Sequence, residues 1–199
     1  MSTSLLYHTW SVRGITHLAT EYKHQATCFR VEVHRNVLRC AHCNRTNVQA
    51  AGVVHRVLGM LPVGGRRCEL HVKIPRLLCL DCGKTRQPHL PFADPKKQYT
   101  KAMERYVNDL AEHMSIRAVA RHLHLGWDTV KGIHKRRLGT MYKRIRLRDL
   151  KYIAIDEVCI GRPRKFLTIV MDLESGAVIY VAKGKGGDSL IPITEDPRA

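Results

Sequence analysis

The sequence predicts an α+β chain of several modules: a small β-rich unit, a three-helix unit, and a set of three hairpin-linked strands. Three observations carry this. Two C-x2-C pairs bracket a stretch with strand-like alternation; the hydrophobic period becomes helical after residue 95; and apolar strand-like runs return after residue 150. The expected boundaries are 1–95 for the N-terminal strands and the cysteine-clipped unit, 96–148 for the helices, and 149–199 for the last strands.

A chain of 199 residues with 44% hydrophobic composition supports one ordinary domain or two to three small ones. Its charge is lopsided, with 34 Lys and Arg against 17 Asp and Glu, a net charge of +17 and a pI near 10.0. Residues 1–95 carry a net +8, residues 96–151 a net +10 and residues 152–199 a net −1. The first two stretches therefore look built for a polyanion, and nucleic acid is the expected partner. No signal peptide, transmembrane run, wide apolar helix face or lipidation signal is found, so no membrane partner is expected. Seven cysteines without an export signal point to thiols or metal ligands in a reducing cytoplasm.

Cys40-Ala-His-Cys43 and Cys79-Leu-Asp-Cys82 stand 35 residues apart. Each pair can turn two thiolates onto one metal, and two such knuckles complete a tetrahedral Zn²⁺ site. Gly83 permits the positive φ that such a turn often needs. Strands are expected over 27–33 and 69–74, giving a unit over 27–90 that folds only with zinc. Cys28, Cys68 and Cys159 have no partner at knuckle spacing and read as small hydrophobes, and His42 reads as exposed. Arg66, Arg67 and Arg76 are candidate phosphate contacts, with a solvated face as the alternative.

After a proline-bounded hinge at 88–95, Ala102, Tyr106, Leu110 and His113 or Met114 mark one face of a first helix. Ser115 caps a second helix lined by Ile116, Val119, Ala120 and Leu123. His124-Leu125-Gly126 forms a turn into a third helix, 127–137, with Val130 and Ile133 inward. This is the pattern of a helix-turn-helix, with an ordinary three-helix packing unit as the alternative. Trp127, Thr129 and Lys131 would start a recognition helix, with Lys135, Arg136 and Arg137 set for phosphates. Residues 135–148 hold seven Lys or Arg, Lys143 and Arg144 among them, and no acid, which reads as a phosphate-tracking arm.

Strands are expected over 152–158, 166–172 and 177–181, with a hairpin turn at Glu174-Ser175-Gly176. Three such strands with an acid in the first are how a ribonuclease-H-like domain begins. There, strand carboxylates hold two divalent ions. Asp156 and Glu157 face opposite sides of a strand, so at most one joins such a site.

The order C-x2-C, Leu61-Pro-Val-Gly-Gly-Arg-Arg67, Arg76-Leu-Leu-Cys-Leu-Asp-Cys-Gly83, then the helix-turn-helix, then Ile155-Asp-Glu157 leading to Thr168-Ile-Val-Met-Asp-Leu-Glu-Ser-Gly176, resembles the ISL-three group of bacterial insertion-sequence transposases over roughly residues 27–190. The resemblance implies DNA transposition, with terminal inverted repeats of double-stranded DNA as partner and the bacterial cytoplasm as location. It makes Asp156 the first acid of a DDE triad and leaves Asp172 outside it. The second Asp and final Glu lie beyond this stretch in the group, and Glu195 and Asp196 are too close in sequence to replace them. The expectation is a C-terminally truncated chain that binds DNA without cutting it, with Mg²⁺ or Mn²⁺ needed only by a complete catalytic domain. A second copy of the chain or a complete transposase is a further expected partner. The alternative is a zinc-dependent DNA-binding regulator with no enzymatic activity. RNA binding is disfavoured, because Trp127 and Tyr142 form no stacking platform.

Overall fold

A computed structural model describes residues 5–23, 25–141, 150–161 and 163–190. The chain forms two compact units, Met1–Arg137 and Leu138–Ala199.

In the first unit a short helix, α1 (Leu5–Trp10), precedes five strands: β1 (Ile15–Lys23), β2 (Ala26–Val33), β3 (Val48–Val63), β4 (Arg66–Cys79) and β5 (Thr85–Arg86). They form one sheet in the order β1-β2-β4-β3, with β5 added on β4. β2 and β4 run parallel and the other pairs antiparallel. The β3–β4 hairpin turns on Gly64 and Gly65, whose φ values of 56° and 76° suit the two-residue turn that matches strand twist. β3 runs through Gly52 and Pro62, and its place at the sheet edge explains the tolerance of the proline.

One face of this sheet is the core. Phe29, Val31, Leu58, Met60, Leu70, Val72 and Ile74 alternate inward and are covered by Leu6 and Trp10 of α1 and by Leu90, Phe92 and Ala93. The Trp10 indole donates to the Leu61 carbonyl at 3.0 Å and lies 5.4 Å from the Phe29 ring. Each fully buried Leu, Ile or Met here is worth about 1.5–3 kcal/mol. This core lies along the sheet, away from the cysteine knuckles.

The segment read as a hinge is instead fastened down. Phe92 and Ala93 are buried in the sheet core, and the Phe92 carbonyl accepts from the Lys101 N–H at 2.8 Å. From β3, the Arg56 guanidinium donates to the carbonyls of Asp94 at 2.9 Å and Lys97 at 2.5 Å. The Gly59 N–H donates to the Gln98 carbonyl, and the Gly59 carbonyl accepts from the Thr100 N–H. The helices that follow are thus bonded directly to the sheet.

These are α2 (Lys101–Ala111), α3 (Ile116–His122) and α4 (Trp127–Met141). Thr100 caps α2 by accepting from the Met103 N–H, and Ser115 caps α3 by accepting from the Ala118 N–H, as the sequence predicts for Ser115. Met103, Val107, Val119, Ala120, Leu123, Val130 and Ile133 form a second core. The expected inner face of α2 is off by one position. Met103 and Val107 are innermost rather than Ala102 and Tyr106, and α2 ends before His113 and Met114, which are exposed.

The second unit is an antiparallel meander of β6 (Ile153–Gly161), β7 (Lys165–Asp172) and β8 (Val178–Lys183). The turn after β7 is built by the Asp172 carboxylate. It accepts from the N–H groups of Glu174 and Ser175 and from the Ser175 hydroxyl, which holds its pKa below the usual value. Among the described residues of this sheet Thr168, Val170 and Ile179 are buried, while Ile153, Ile155, Ile160 and Val181 are exposed. The whole chain is α+β, with a β-rich cysteine module, a helical region and a three-stranded antiparallel sheet.

Candidate metal centre and nucleic-acid interface

Two near-identical turns present the four cysteines. In the first, the Asn44 N–H donates to the Cys40 carbonyl and the Cys40 N–H to the Arg45 carbonyl; in the second, Gly83 and Lys84 bond Cys79 in the same way. Asn44 and Gly83 both have positive φ, 59° and 68°, so the glycine requirement read from the second turn is met by asparagine in the first. Asn47 ties the turns together through the Asp81 carboxylate at 3.1 Å and the Leu80 N–H.

The four sulfurs lie within 4.8 Å of one another, with Cys40 to Cys82 at 3.6 Å and Cys43 to Cys79 at 3.5 Å. A tetrahedral ion with Zn–S bonds of about 2.3 Å places its sulfurs about 3.8 Å apart. The set therefore fits zinc without rearrangement. N–H groups of Cys43 and His42 bring the Cys40 thiol down to about 6. At Cys43 the Arg45 N–H favours the thiolate, but burial and the neighbouring sulfurs outweigh it and push the thiol up to about 12. Without a cation, the crowded thiols cannot all ionise; a divalent ion removes that conflict. His42 is exposed and stands outside the set. Cys28 and Cys68 are buried, as expected, whereas Cys159 is exposed on β6 and is not a core residue.

The connection between α3 and α4 carries a further detail. The Leu125 N–H bonds the Ala120 carbonyl and the His124 N–H bonds that of Arg121, a Schellman closure. Its left-handed residue is His124, at φ 52°, and not Gly126 as the glycine in the turn would suggest. α4 then buries Val130 and Ile133 and exposes Trp127, Lys131 and Lys135 along one ridge. The Lys131 ammonium sits over the Trp127 ring, 4.5 Å from its centre. Thr129 is half-buried beside the turn.

The other basic candidates separate. Arg66 and Arg67 stand at the β3–β4 turn, in a cleft shared with His124. Arg76 is ten residues along β4, about 33 Å away at strand spacing, and is not brought to the same surface. Arg136 turns inward, donating to the Tyr99 hydroxyl at 2.5 Å and to Glu104 at 2.9 Å. It holds α4 on α2, a role that its place in a basic run conceals. Arg137 pairs loosely with Glu112 at 3.7 Å. Lys143 and Arg144 lie outside the described residues, as does most of the expected arm. Thr100 and Arg56 were not singled out from sequence. The Thr three residues before Met103 was a legible cap, but no local pattern marks an arginine that bonds carbonyls 38 and 41 residues away.

In the second unit Asp156 is exposed on β6 and accepts from the Glu157 N–H at 2.7 Å. Glu157, on the opposite face, accepts from the Gly186 N–H at 2.8 Å and lies 3.8 Å from Lys185. Among the described residues, no further metal-ligating side chains gather with Asp156.

Residues 37–82 match the zinc finger of transposases IS204/IS1001/IS1096/IS1165, and residues 88–138 match the helix-turn-helix domain of transposase family ISL3. The chain is similar to the transposase for insertion sequence element IS1001 of Bordetella parapertussis, with 28% identity over 153 residues, 77% of this chain and 38% of that protein. It is also similar to the transposase for insertion sequence element IS1557 of Mycobacterium tuberculosis, with 32% identity over 158 residues, 78% of this chain and 35% of that protein. The chain thus spans little more than a third of the length of these relatives. No solved structure gives a significant match.

Proposed function

We propose that this chain, a member of the ISL3 transposase family by its zinc finger and helix-turn-helix, recognises double-stranded DNA at the terminal inverted repeats of an insertion sequence. The observation that carries this is the α4 ridge. Trp127, Lys131 and Lys135 are presented to solvent on a helix whose opposite face is locked by Val130, Ile133 and Arg136. A recognition helix needs that combination of rigid placement and an exposed polar, cationic face to reach base edges. Lys131 and Thr129, near the helix start, are assigned to bases, and Lys135 and Arg137 to phosphates.

Zinc bound by Cys40, Cys43, Cys79 and Cys82 is assigned a structural role. It supplies no chemistry to the DNA; it closes the far end of the β3–β4 hairpin.

The three strands of the second unit are assigned to the start of a ribonuclease-H-like transposase domain, with Asp156 as its first acid. A lone carboxylate cannot hold the two divalent ions of strand transfer. Cleavage with Mg²⁺ or Mn²⁺ is therefore assigned to a protein in which further acids join Asp156.

The test is anisotropy of a labelled DNA duplex across a salt series. Binding should weaken steeply between roughly 50 and 200 mM salt, and the double variant Lys131→Ala, Lys135→Ala should weaken binding and reduce the slope of log K against log salt by about 0.9, the share of the phosphate-directed Lys135. Absence of duplex binding, or binding indifferent to both salt and the double variant, would overturn the assignment.

A further inference from the structure

The end of the sheet opposite the zinc ligands carries a second cationic feature. At strand spacing, the 14 residues of β4 separate Cys79 from the β3–β4 turn by about 43 Å. At that turn the parallel register Ala26↔Arg67 brings the β1–β2 and β3–β4 turns side by side. Next to them lie the 94–97 link and the turn between α3 and α4. Three adjoining clefts result, and His124 lines all three. The first, of about 620 Å³, is lined by Lys23, Arg66, Arg67 and His124 with no carboxylate. Lys96 and Lys97 line the other two. Glu69 and Asp128 are the acids that line those two clefts, and Glu69 is already engaged by Arg67 and His71.

Two of these basic residues occupy backbone positions that favour glycine. His124 has φ 52° and Lys96 has φ 62°. A side chain there carries a conformational cost that glycine avoids. Lys96 is further fixed, because Arg56 bonds the carbonyls of Asp94 and Lys97 on either side of it. Arg66 and Lys96 are exposed and make no ion pair among the described residues. Strain kept at a cluster of cations, on a surface rigidly joined to the helix-turn-helix, points from geometry to function.

We infer that the two hairpin turns, the 94–97 link and His124 form one phosphate-binding edge that grips the DNA backbone beside α4, in the manner of a wing. The occupant is duplex DNA, since the edge is cationic and continuous with the element assigned to the duplex. The inference rests on that assignment. It brings Arg66, Lys96, Lys97 and His124 into contact with phosphates and leaves the zinc end, with Arg76, outside the contact.

Two variants test it on a labelled mixed-sequence DNA duplex, each checked for zinc content and Tm. His124→Gly relieves the left-handed backbone, so it should raise Tm while lowering duplex affinity by roughly tenfold, the worth of one hydrogen bond to a charged group. A merely structural histidine would raise Tm and leave affinity unchanged. The combined variant Arg66→Gln, Lys96→Gly, Lys97→Gln should reduce the salt slope by up to about 2.7, and Arg76→Gln should leave it unchanged. If Lys131→Ala, Lys135→Ala weakens binding but His124→Gly and the combined variant do not, the edge is refuted and the helix assignment stands. If the unaltered chain binds no duplex, both fall.

Discussion

Removing the metal should open one end of the sheet and leave the rest standing. The cysteines sit where β3 begins and β4 ends, at the Val48↔Cys79 pair. Leu70 on β4 is nine residues from Cys79, about 30 Å at strand spacing. Leu58, Met60, Leu70 and Ile74 are all fully buried, and each contributes about 1.5–3 kcal/mol from burial alone. At the clipped end, by contrast, Leu77 is the buried apolar side chain among the described residues other than the cysteines themselves. Structural zinc is worth about 10–16 kcal/mol in isolated finger peptides at neutral pH, so this end depends on it. Chelation, or Cys79→Ser, should abolish amide protection over residues 40–50 and 77–86. Amides of residues 58–60 and 70–74 should keep theirs to within about 1.4 kcal/mol, a factor of ten. Hydrogen exchange read by mass spectrometry measures this directly. The emission of Trp10, packed on Phe29, reports the core independently in a Trp127→Phe background. Simultaneous loss of Trp10 emission and of protection at 70–74 would refute the separation of core from clip.

Other consequences follow from single side chains. Glu21 is held down to about 2 by Lys23 first and Arg30 second; such a carboxylate stabilises the fold above its ordinary value of 4.5 and loses that effect as pH falls toward 2. Glu21→Gln should therefore flatten the fall of Tm over that window, an effect kept small by solvent exposure. Arg136→Ala should lower Tm more than Lys135→Ala, because only Arg136 bonds Tyr99 and Glu104; equal shifts would contradict its inward role. Thr100→Ala removes the cap of α2 and should cost about 1 kcal/mol by denaturant titration. Zinc retention should fail on acidification, since protons compete for the four thiolates, and a colorimetric zinc assay across a pH series checks it.

The parts of this chain legible in sequence are those set by local chemistry. Paired cysteines at knuckle spacing, the Ser115 cap, Val130 and Ile133 at helical spacing, and the Asp172 turn all depend on residues a few positions apart. The elements that sequence hid depend on partners far along the chain. No particular strand is expected where β3 runs, and its continuity through Gly52, Gly59 and Pro62 comes from pairing with β4. The apparent hinge is rigid because Arg56 and Gly59 on β3 take its backbone groups. Arg136 reads as one more cation in a basic run until Tyr99 and Glu104 are placed beside it. In the candidate interface, Arg66 and Arg67 come beside Lys23 through the parallel β2–β4 register and share a cleft with His124, a grouping that no motif announces.

The claim that α4 reads DNA is tested most directly by selection from a pool of randomised duplexes, sequenced after binding to the chain and to its Lys131→Ala variant. The account predicts an enriched motif that loses or changes its preference at one or two positions in the variant, with the remaining positions retained. An unenriched pool, or the same motif from both proteins, would contradict it.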